Sequence, residues 1–61
     1  IMIIKNSAMC LLCYEEIESK DRHDFVSCKC NNISVDGGKE YIKRSVMDMS
    51  KFKDTSILKE E

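Results

Sequence analysis

The residues in this chain best suited to chemistry are its four cysteines, set in two close pairs. Cys10-Leu11-Leu12-Cys13 is followed by fourteen residues and then by Cys28-Lys29-Cys30. Two tight loops, each at a hairpin tip and each giving two thiolates, can surround one tetrahedral ion. The spacer suits that arrangement, since a strand out, a turn and a strand back consume about that many residues. The second pair is tighter than the usual spacing of two to four residues, yet still able to chelate. Such a loop turns left-handed just after its second cysteine, a place that favours glycine. Here Tyr14 and Asn31 stand there; Asn tolerates that backbone and Tyr does so poorly.

Around these pairs the chain must build a body with little material. It has 61 residues and a mass of 7.1 kDa, room for one domain whose core alone is marginal. Domains of this size add a staple: disulfides, a metal or a second subunit. Ile1-Met2-Ile3-Ile4 breaks at Lys5, well short of a secretory signal, and no apolar run is long enough to span a bilayer. A cytoplasmic protein with reduced thiols is therefore expected, and clustered cysteines there favour a metal over pairing. Two disulfides or four free thiols are the alternatives. An S₄ tetrahedral site suits zinc first and iron second. With all four positions taken by protein, the site is structural and leaves no place for water or substrate.

The elements that would carry the cysteines read as short strands. Residues 1–9 begin β-like, with Asn6-Ser7 as a bulge or turn, and Ile17 anchors a short strand among glutamates. Lys20 to His23 is a polar turn, and Phe25-Val26-Ser27-Cys28 pairs an aromatic with a β-branched residue, a strong strand signal. Ile33-Ser34-Val35 alternates, Asp36-Gly37-Gly38 signals a hairpin, and Tyr41-Ile42 resumes the strand or begins a short helix. The fold class expected is small and β-rich: a zinc-ribbon-like pair of β-hairpins over residues 1–44, followed by a tail over 45–61. That tail orders against the body, a second copy or a partner, with one helical turn from Thr55.

Charge limits the choice of function. Net charge is −1 with a pI near 5.8, although 34% of residues are charged. That balance argues against strong non-specific binding to nucleic acid, because such affinity comes chiefly from neutralised phosphates. Lys39, Lys43 and Arg44 beside Tyr41 form the only local basic patch, diluted by Glu40. His23-Asp24 reads as turn chemistry rather than a catalytic pair, and Asp36-Gly37-Gly38 lacks the lysine and Ser/Thr of a phosphate loop. No nucleophile and base lie side by side in the sequence, so no enzyme is expected.

The combined string Cys10-Leu-Leu-Cys13, Ile17-Glu18-Ser19-Lys20, Arg22-His23-Asp24-Phe25, Cys28-Lys-Cys30, Val35-Asp36-Gly37-Gly38 and Tyr41 to Arg44 resembles a known family. It consists of very short proteins, mostly from bacteriophages and their Gram-positive hosts, and the resemblance spans Ile3 to Arg44. In that family each cysteine pair is typically followed by glycine, and Tyr14 and Asn31 depart from it. The resemblance implies a host-directed role, akin to tiny phage proteins that counter bacterial defence, inhibitors of the Hachiman nuclease–helicase system among them. The expectation is a non-enzymatic protein that binds and inhibits a host defence protein in the bacterial cytoplasm. A zinc ribbon that binds nucleic acid or transcription machinery is the alternative. Surplus apolar residues point to a homodimer, and Tyr41, Arg44 and Phe52 are the residue types expected to anchor a partner.

Overall fold

The structure is a computed structural model that describes residues 1–60. Its spine is β1 (Met2–Cys10), whose nine residues are long enough to serve partners along both edges. β2 (Glu16–Ser19) runs antiparallel along one edge, with Asn6 facing Ser19 and Ala8 facing Ile17. Along the other edge lie β6 (Phe52–Asp54) and β7 (Ile57–Lys59). Asp54 faces Ala8 and Ile57 faces Lys5, three residues on in each chain, so β6 and β7 form one interrupted strand. A second antiparallel sheet has the order β3 (Val26–Ser27), β4 (Ile33–Asp36), β5 (Lys43–Val46). The chain is thus β-rich and zinc-ribbon-like, with one 3₁₀ turn at Met49–Lys51 as its helical content among the described residues.

The registers decide what lies between the sheets, because directly opposed residues share a face. On the first sheet, Asn6, Ala8, Cys10, Ile17, Ser19, Phe52 and Asp54 share one face. On the second, Val26, Val35 and Arg44 align across three strands, with Ile33 beside Val46. The buried apolar core is Ala8, Cys10, Ile17, Cys28, Ile33 and Val35, with Cys13, Val26, Val46 and Phe52 packed against it. Fully burying a side chain such as Ile33 or Val35 contributes about 1.5–3 kcal/mol. Only three large aliphatic residues stand in that core, so the two buried cysteines belong to the fold as much as to any site.

At the end away from the cysteines, polar side chains join the sheets. The buried Asn6 amide nitrogen lies 2.9, 3.0 and 3.2 Å from the carbonyl oxygens of Asp36, Gly38 and Tyr41. The Gly38 N–H donates to the Ser19 hydroxyl at 2.9 Å, and that hydroxyl donates to the Asp24 carbonyl at 2.7 Å. Gly38 has φ +55°, and a Cβ there would collide with the Asp21 backbone, so the Asp36-Gly37-Gly38 turn is seated directly on the Lys20–Asp24 loop.

Several expectations change in this fold. Asn6-Ser7 is neither bulge nor turn; both residues are fully buried inside β1, and the irregularity falls between Ile3 and Lys5. The boundary expected after Arg44 falls inside β5, and beyond it β6 and β7 pair with β1. The helical turn expected from Thr55 is strand β7, because β1 offers a free edge there; Glu61 lies outside the described residues. Tyr41-Ile42 precedes β5 rather than opening it. Phe25 is 65% exposed, since Val26 takes the inward position opposite Val35.

Candidate metal centre

Each cysteine pair is held by a closed loop. β1 ends at Cys10, whose N–H reaches back to the Glu15 carbonyl at 3.0 Å. In the second loop the Asn31 N–H donates to the Cys28 carbonyl at 2.9 Å, and the Cys28 N–H to the Ile33 carbonyl at 3.1 Å. Tyr14 has φ +57° and Asn31 φ +60°, and among the described residues they are the only non-glycines with positive φ. Both loops therefore make the left-handed turn that their spacing requires, with side chains that do not favour it. Glu15 fastens one loop to the other, its Oε1 accepting from the Lys29 N–H at 2.6 Å.

The four sulfur atoms all lie within 4.8 Å of one another. Cys30 Sγ is 3.5 Å from Cys10 Sγ and 3.6 Å from Cys28 Sγ, and all four cysteines are free of disulfides. A zinc–sulfur bond of about 2.3 Å in a tetrahedron sets sulfur–sulfur edges of about 3.8 Å. The two close edges match that length within a few tenths of an ångström and far exceed a bond of about 2.05 Å. Cys10 and Cys28 are buried, Cys13 is half-buried and Cys30 is exposed. The donor set and its spacing are compatible with a structural metal held by Cys10, Cys13, Cys28 and Cys30.

The electrostatics of the cluster point the same way. Burial pushes the Cys10 thiol up, but the N–H groups of Cys13 and Leu12 and the neighbouring thiols pull it down to about 6. Leu12 N lies 3.4 Å from that sulfur. Cys28 is also lowered: burial opposes, while the Ile33 N–H and the Cys30 thiol favour its thiolate. At Cys30 the Asn32 N–H favours the thiolate, yet burial and the other three sulfurs push the group up to about 12. Four adjacent sulfurs cannot all ionise without a cation among them, and Cys30 is the one whose thiolate its neighbours oppose most. A divalent ion among the four sulfurs would displace their remaining protons and offset half of the four thiolate charges.

Other residues singled out in the sequence fall elsewhere. His23 is exposed and outside the sulfur cluster, in the Lys20–Asp24 loop that lines a wide, open cleft. Asp24 accepts from the Lys20 N–H at 3.0 Å, which is turn chemistry. Arg44 and Phe52 come together, the guanidinium carbon 5.3 Å from the ring centroid. Arg44 also pairs with Asp54 at 3.2 Å and donates to the Ser56 hydroxyl at 3.2 Å, tying one sheet to the other. The Ser56 N–H holds the Asp54 carboxyl below its usual range against the opposing effect of burial, and Arg44 adds to the lowering. Tyr41 stays exposed at the far end, engaged through its carbonyl by Asn6.

Asn32 and Glu15 tie the two loops together, and the sequence does not single out either. Asn beside a cysteine pair reads as a turn former, and Glu15 as one of several surface glutamates. No helix is long and apolar enough to cross a membrane among the described residues.

Comparison with known proteins adds one finding. No curated protein and no solved structure matches the chain. One family model, described as a domain of unknown function (DUF7695), matches residues 2–46, a stretch that holds both cysteine loops and the whole second sheet. With that match over most of its length, the chain belongs to the DUF7695 family.

Proposed function

We propose that this chain is a non-enzymatic binding protein of phage type, stapled by one structural zinc, that captures and inhibits a bacterial host protein. The observation that carries the reading is the cluster of four thiols that closes one end of the fold. A metal on Cys10, Cys13, Cys28 and Cys30 would have no open position for water or substrate, so it would hold shape rather than turn over. Zinc is the ion this donor set favours, and reduced thiols fit the bacterial cytoplasm. The resemblance to short phage proteins supports a host-directed target of the anti-phage defence class, a nuclease–helicase being one candidate.

The surface supports binding by a few large anchors. Tyr41 is exposed, whereas Arg44 and Phe52 are half-buried and already bound to one another. Tyr14, Phe25, Met47 and Met49 present more area than either of that pair, and aromatic residues commonly dominate binding energy. Apolar residues also crowd the far end, where Met2, Ile4, Ile57 and Leu58 are about half exposed. That ribbon of two strands favours a homodimer, since exposed apolar patches and isolated ribbons are both marginal in water.

The test is expression of the chain in bacteria carrying individual defence systems. Rescue of phage growth in proportion to its level is expected, with Tyr41→Ala reducing rescue while metal content and fold stay unchanged. Failure against a panel of systems, together with specific binding to DNA or RNA that weakens steeply with salt, would favour the nucleic-acid reading instead. Light scattering at micromolar concentration is expected to give twice the chain mass.

A further inference from the structure

Asn32 is 5% exposed, and its side-chain amide and both backbone groups are committed to cysteine loops or to the C-terminal turn. Its Nδ2 lies 3.8 Å from Cys10 Sγ and 3.3 Å from the Lys51 carbonyl oxygen. Its Oδ1 accepts from the Asp48 N–H at 2.9 Å, and its own carbonyl from the Met47 N–H at 2.8 Å. Its backbone N–H faces the Cys30 sulfur. Lys51 is in turn fixed to the first cysteine loop, its carbonyl accepting from the Leu11 N–H at 3.0 Å. Directly after Lys51 comes Phe52, which opens β6 opposite Cys10. One buried side chain therefore touches a candidate ligand and seats the turn that launches the last strands.

We propose that Asn32 is a positioning residue of the metal centre, one that orients Cys10 and couples metal loading to the docking of β6 and β7. The inference rests on the metal reading above. An amide N–H aimed at a thiolate stabilises its charge and fixes its direction, as groups behind metal ligands generally do. The same amide also holds Lys51, so a loss of order at the sulfurs releases the turn. A loosened turn in turn leaves Cys10 free to rotate. The coupled strands, β6 and β7, lie beyond the residues that the family model matches.

The decisive variant is Asn32→Asp in the full chain. It keeps an acceptor for the Asp48 N–H and replaces the donor facing Cys10 Sγ with an anionic oxygen. Zinc affinity, measured by competition with a chromogenic chelator, is expected to fall about 10–100-fold. With Co²⁺ as the probe, the sulfur-to-cobalt charge-transfer band is expected to move to longer wavelength, because a thiolate without its donor is easier to oxidise. Hydrogen exchange across residues 52–59 is expected to quicken in the zinc-loaded variant, while exchange in β4 (residues 33–36) stays as in zinc-loaded wild type. Affinity, band and exchange all equal to wild type would overturn the proposal while leaving the metal reading intact. Wild-type chain that takes up neither Zn²⁺ nor Co²⁺ would overturn both. Should the variant fail to fold, ¹⁵N-labelled wild type decides: the Asn32 side-chain amide resonances are expected to shift when Cd²⁺ replaces Zn²⁺. Resonances indifferent to the metal would sink the coupling.

Discussion

At the scale of single residues, the two positions after the cysteine pairs show how spacing governs backbone. Tyr14 sits at φ +57° with its side chain 73% exposed, so it bears the strain and gains little packing. A left-handed L-residue costs about 1–2 kcal/mol, while glycine costs about 0.5–1 kcal/mol in unfolded-state entropy. Tyr14→Gly is therefore expected to raise stability by about 0.5–1 kcal/mol, read as a higher denaturant midpoint of the metal-loaded protein. Asn31→Gly should change it less, since asparagine already tolerates φ +60°. Ligand identity is tested beside it. Cys28→Ser is expected to lose the metal and the fold, and His23→Ala to keep both, by elemental analysis and circular dichroism. The cysteine loops were legible in the sequence because their geometry depends on local spacing alone. Asn6, Asn32 and Ser19 were not, because a short polar residue looks the same whether it caps a turn or spans two sheets.

Among the elements, the first strand and the last hold each other through side chains where the backbone ladder is broken. The Ser56 hydroxyl accepts from the Ser7 N–H at 3.1 Å and donates to the Ser7 carbonyl at 2.9 Å, replacing the backbone groups of a regular pair. The Ser7 and Thr55 hydroxyls meet at 2.7 Å beside it. This junction explains why the last strands were hard to foresee. Phe52–Asp54 and Ile57–Lys59 are three residues each, too short for a period to show, and their pairing is with residues about fifty positions away. Ile33-Ser34-Val35, by contrast, announced itself by alternation, and Ile33 and Val35 are fully buried. Ser56→Ala is expected to destabilise by about 1–2 kcal/mol, since it strips partners from the Ser7 backbone and from Arg44. Asn6→Leu is expected to cost more, about 3 kcal/mol, because it leaves carbonyls of Asp36, Gly38 and Tyr41 without a donor. Both are read by denaturant titration with zinc in excess, so that changes in metal affinity do not enter.

For the whole molecule the question is what keeps two small sheets together. A core whose only large aliphatic residues are Ile17, Ile33 and Val35 is a small fraction of what a chain of this length needs. At one end the sheets are joined by Asn6 and Ser19, at the middle by Arg44 between Phe52 and Asp54, and at the other end by the sulfurs with Glu15 and Asn32. The Arg44–Asp54 pair is partly exposed and contributes little, about 1 kcal/mol at most. The sulfur end has no such polar tie between the two loops beyond Glu15 and Asn32, and four thiols in contact repel one another as they ionise. Without a cation that end should open, and with it the packing of Cys10 and Cys28 in the core. Each chain is therefore expected to carry one zinc ion, and a strong chelator is expected to unfold it at neutral pH in reducing buffer, with refolding on return of zinc. Protons compete with zinc for the sulfurs, so the metal should be released as pH falls, and the fold with it. Mass spectrometry under native conditions and circular dichroism during chelator titration measure the two together. A reduced chain that stays folded with no metal bound would show that hydrophobic burial and the polar ties suffice, and would remove the staple from the account of this fold.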